Sequence, residues 1–154
     1  MNERISRAEA GRRDAVLRAY LSGCDWDLTG EGTLRRHLVL HSDVLVPDYP
    51  LLIGLEWSAR AGQAGDLLFF DGVQGLLAVE IKVTDKRANA RRLHKVETQA
   101  RDFARAAQKV FPWAHVVGRI YTSEEQAAGL PPRAPRENKP LGRSPTPIGG
   151  AAGE

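Results

Sequence analysis

Leu76-Leu77-Ala78-Val79-Glu80-Ile81-Lys82-Val83 is a strand-length apolar run broken by two charges. Strand periodicity places Glu80 and Lys82 on one face and Ile81 on the other. A carboxylate and an ammonium so placed are costly to bury without a purpose or a partner. The preceding run, Gly65-Asp66-Leu67-Leu68-Phe69-Phe70, also has a charge at its edge, and Asp71-Gly72 begins a tight connection between the two. A meander over that connection brings Asp66 beside Glu80.

Leu51 to Ser58 is a third run of the same kind, joined to the second by a connection punctuated by Gly62 and Gly65. Downstream, Leu93, Val96, Ala100, Phe103, Ala104, Ala107 and Val110 step by three and four, which predicts one long helix ending before Pro112. Ala114 to Thr122 reads as a fourth strand. Near the N-terminus Ile5, Ala8, Val16, Leu17, Tyr20 and Leu21 mark an amphipathic helix that stops at Ser22-Gly23. Thr33 to His41 fits both a helix face and a strand, and a second short helix is the preferred reading. The expected fold class is α/β, an αβββαβ core with a mixed four-stranded sheet flanked by helices. From Ser123 onward lie six of the nine prolines and five glycines, with few large apolar residues spaced to form a face. That composition predicts a domain over residues 1–122 and a disordered tail over 123–154.

The 154 residues (16.9 kDa) suit one domain that buries roughly two thirds of its unfolded surface. No apolar run approaches the 18 or so residues of a membrane-spanning helix. One cysteine, Cys24, excludes an internal disulfide and a cysteine-based zinc cage. The first residues lack a secretory signal's apolar stretch, so an intracellular, cytoplasmic protein is the expectation, with nucleus or organelle left open. The net charge of +3 is unevenly spread: residues 82–109 hold nine basic and three acidic groups. Such a stretch suits a polyanion, although a solvated basic helix face gives the same pattern.

Two carboxylates converging beside a lysine suit a hard divalent cation, Mg2+ or Mn2+, whose remaining positions go to water and phosphate. Asp66 and Glu80 are the candidate ligands. Lys82 is the candidate for orienting water and stabilising charge. A Glu-x-Lys triplet alone is weak, since Glu137-Asn138-Lys139 repeats it in the predicted tail. The weight comes from the apolar setting, the charge-initiated strand before it and the basic helix after it.

In these residues and their order the chain resembles the PD-(D/E)XK nuclease superfamily, over roughly Leu51 to Thr122 plus the N-terminal helix. The resemblance implies a metal-dependent nuclease, with Asp66, Glu80 and Lys82 at the motif positions. It also implies Glu56 as an earlier acidic ligand and Gln99 as a supporting residue on the following helix. Phe103 stands where many relatives have Tyr, and Gly65 replaces the motif's Pro. The expected substrate is nucleic acid, DNA ahead of RNA, contacted by Arg87, Arg91, Arg92 and Lys95. A homodimer is compatible with so small a core on a duplex. Two alternatives stay open: a catalytically silent nucleic-acid-binding module of this fold, and an α/β interaction protein whose strand charges are merely paired. His37 and His41, four apart, lack the further partners of a zinc site.

Overall fold

The computed structural model describes residues 4–23, 30–56, 66–84 and 90–136. Among the described residues nine elements follow one another: α1 (Arg7–Gly23), α2 (Gly30–Leu40), α3 (Ser42–Leu45), β1 (Leu51–Leu55), β2 (Leu67–Phe70), β3 (Gly75–Lys82), α4 (Ala90–Val110), β4 (His115–Thr122) and α5 (Ser123–Ala128). The strands form one mixed sheet in the order β1-β2-β3-β4, antiparallel through β3 and parallel between β3 and β4. The meander is therefore present, with α4 as the crossover that a parallel pair requires. The ambiguous stretch that begins at Thr33 is helical through Leu40, and the α/β class with helices flanking a four-stranded sheet holds.

Side-chain alternation divides the core. Leu67, Phe69, Leu77, Val79 and Ile81 meet Leu34, Leu38 and Val39 of α2 and Leu45 of α3 on one face. Leu68, Phe70, Leu76 and Ala78 meet Phe103 and Ala107 of α4 on the other. Helix α1 runs along the β1 edge and feeds both, Ala10 to the second cluster and Leu21 to the first. A Cβ on Gly118 would lie 3.1 Å from both the Ala100 carbonyl oxygen and the Ala104 Cβ, so the bare glycine allows α4 to sit close on β4. At the β2–β3 turn Gly72 has a φ of +96°, and Asp71 Oδ1 accepts the backbone N–H groups of Val73 and Gln74.

Each outer edge of the sheet is engaged at particular residues. Asp14 Oδ1 accepts the Leu52 N–H at 2.8 Å, and Arg18 donates to the Pro50 carbonyl. On β4, Ile120 exchanges both backbone hydrogen bonds with Arg133, and Arg119 donates to the Gly118 carbonyl.

The predicted tail is corrected at its start. Residues 123–128 form α5, closed by a capping box between Thr122 and Glu125, and 129–136 return along β4. Glu97, only 2% exposed on α4, anchors this segment by accepting from Arg133 and from the side chain and backbone of Arg136. Proline and glycine content hid a segment whose order comes from two arginines and a carboxylate far upstream. Residues 137–154 lie outside the described residues.

Candidate functional site

Register decides the centre of the site. Leu67 pairs with Val79, so the residue before β2, Asp66, faces Glu80 across the hairpin. The two carboxyl groups are close enough for Glu80, whose proton is the harder to remove, to donate to Asp66. Burial is the largest influence on Glu80, and the Asp66 charge, their shared bond and Glu31 add to it, while Lys82 opposes. The result lifts the Glu80 pKa to about 8. Asp66 is also raised, first by burial. The Ile81 N–H on its Oδ2 at 2.8 Å, the bond from Glu80 and the charge of Arg35 restrain that rise. The hairpin thus forces together two carboxylates that do not both ionise readily at neutral pH.

Lys82 follows on the same face of β3, and its Nζ lies 3.5 Å from Glu31 Oε2 on α2. One turn further along α2, Arg35 places Nη1 3.3 Å from Glu56 Oε2 and 3.8 Å from Asp66 Oδ1. Glu31 and Arg35 are four apart and share a helix face, so α2 presents a carboxylate to the lysine and a guanidinium to the carboxylates. Glu56 follows β1 with its N–H donating to the Asp66 carbonyl at 2.8 Å, and its φ of +50° is unusual for a residue with a side chain.

The structure therefore brings Asp66, Glu80, Lys82 and Glu56 to one end of the sheet. Gln99 is exposed on α4, and among the described residues no hydrogen bond joins it to this group. Arg91 and Lys95 are exposed one turn apart near the start of α4. Arg87 and the side chain of Arg92 lie outside the described residues. Glu31 and Arg35 escaped the sequence reading. Their spacing on a charged helix was visible, but nothing local announces which strand end a helix will dock against.

Asp66 and Glu80 offer oxygen donors only, the chemistry a hard divalent cation accepts. Among the described residues no cluster of three or more His, Cys, Asp or Glu forms, so the close pair is the donor set. His37 and His41 approach with ring centroids 4.5 Å apart, and the His37 ring stacks parallel to Tyr121. Trp113 packs edge-on against Phe70 and Phe111, as a core residue does. No protein-family model matches the chain, and no curated protein or solved structure matches it.

Proposed function

We propose that the chain is a small divalent-metal-dependent nuclease of the PD-(D/E)XK superfamily, with a restriction-endonuclease-like core, hydrolysing phosphodiester bonds in nucleic acid, DNA ahead of RNA. The observation that carries this reading is the hairpin register that sets Asp66 opposite Glu80, with Lys82 beside it on the same strand face. Two carboxylates held together in partial burial need a positive partner, and in the absence of metal a proton fills that role. The donor chemistry fits Mg2+ or Mn2+, held by Asp66 and Glu80 with Glu56 close by. Such a cation, when bound, supplies Lewis acidity toward water and phosphate.

The chain's own groups supply the rest. Lys82, partly exposed and paired only loosely with Glu31, orients water and stabilises charge on a phosphate oxygen. Arg91 and Lys95 offer two cations on one exposed helix face for a nucleic-acid backbone. Gln99 is left out of this set because it lies exposed on α4. No helix among the described residues is long and apolar enough to cross a membrane. The reading places the enzyme inside the cell, in the cytoplasm ahead of nucleus or organelle, as a homodimer where the substrate is duplex.

The test is cleavage of labelled single-stranded, duplex and branched DNA and of RNA, with Mg2+ or Mn2+, by wild type, Asp66→Ala and Lys82→Ala. Metal-dependent cleavage lost in both variants is expected. A folded wild type that binds the panel without cutting it returns the silent binding module, and one that does neither removes nucleic acid as the partner.

A further inference from the structure

Arg35 is the residue through which α2 reaches the carboxylates. Its side chain is 17% exposed, so the guanidinium is largely withdrawn from water and its charge needs partners close by. One nitrogen, Nη1, stands between Glu56 Oε2 at 3.3 Å and Asp66 Oδ1 at 3.8 Å. The other Asp66 oxygen accepts the Ile81 N–H. Asp66 is thereby held from two sides, by a backbone amide of β3 and by a side chain of α2. Glu56, whose own side chain is two-thirds exposed, has its carboxylate drawn toward Asp66 by the same cation.

We propose that Arg35 is a positioning residue of the candidate metal site, fixing the Asp66 carboxylate in its place beside Glu80. The inference rests on the metal-site reading above and adds to it a residue outside the motif. Its action is by geometry, against its own charge. A guanidinium beside carboxylates repels an incoming cation, so removing it tightens metal binding if charge is all it contributes. Positioning has the opposite sign: groups that orient metal ligands typically cost 10–100-fold in affinity when lost.

Calorimetric titration of Mn2+ into the full chain separates the two. Wild type is compared with Asp66→Asn, Arg35→Ala and Arg35→Lys, with far-UV circular dichroism on each. Expected is Mn2+ heat in wild type that is abolished in Asp66→Asn and weakened about 10-fold or more in Arg35→Ala. Arg35→Lys, which keeps a cation on a shorter chain, recovers part of the affinity. Arg35→Ala binding as tightly as wild type, or more tightly, overturns the positioning role while leaving the metal site standing. Absence of heat in wild type overturns the metal reading, and this inference falls with it. If Arg35→Ala does not fold, Arg35→Gln decides: weaker binding supports the proposal, and wild-type or tighter binding overturns it.

Discussion

Glu80 holds a proton at neutral pH because burial, the Asp66 charge beside it and their shared bond all disfavour its ionised form. The consequence for stability has a definite sign. The folded state keeps this proton up to about pH 8, whereas the unfolded chain releases it near 4.5. Between those values the folded form binds more protons, so stability falls as pH rises, by about 5 kcal/mol at most. Glu80→Gln, which imitates the protonated carboxyl, flattens that slope. Urea unfolding of both proteins at pH 5 and pH 8 in chelator checks it, and equal slopes would contradict the assignment. Asp66, Glu80 and Lys82 could be read from the sequence because alternation and a short turn fix which residues of a hairpin face each other. Arg35 could not, since its partners lie 21 and 31 residues away and meet it only through helix docking.

At the level of elements, α5 and the returning segment depend on Glu97. Burial raises its pKa, but the side chain and backbone N–H of Arg136 and the side chain of Arg133 outweigh that and hold it at about 2. A carboxylate lowered in this way stabilises the fold above pH 4.5, and the contribution is lost as pH falls toward 2. Glu97→Ala removes one partner of a buried ionic cluster and is expected to cost about 3 kcal/mol, read as a lower urea midpoint with an unchanged m-value. Strands and α4 were legible because each advertises a period over its own length. The 129–136 segment has no period, and its order is set by ion pairs spanning 36 and 39 residues. Composition alone therefore misplaced the end of the domain.

For the molecule as a whole, the exposed cations at the start of α4 make nucleic-acid affinity salt-dependent under the proposed function. Arg91→Glu with Lys95→Glu is expected to weaken binding of a duplex probe and to lower the slope of log affinity against log salt by about one per residue. Anisotropy titrations across salt concentrations measure both, and an unchanged slope removes this helix from the interface. The engaged edge residues bear on association of another kind. With Asp14 on the Leu52 amide and Arg133 on both backbone groups of Ile120, neither outer strand presents a free backbone ladder at those positions. Strand addition, by an extended peptide or by another copy extending the sheet, is blocked there. At Leu52 and Ile120, then, the sheet offers no starting point for cross-β growth.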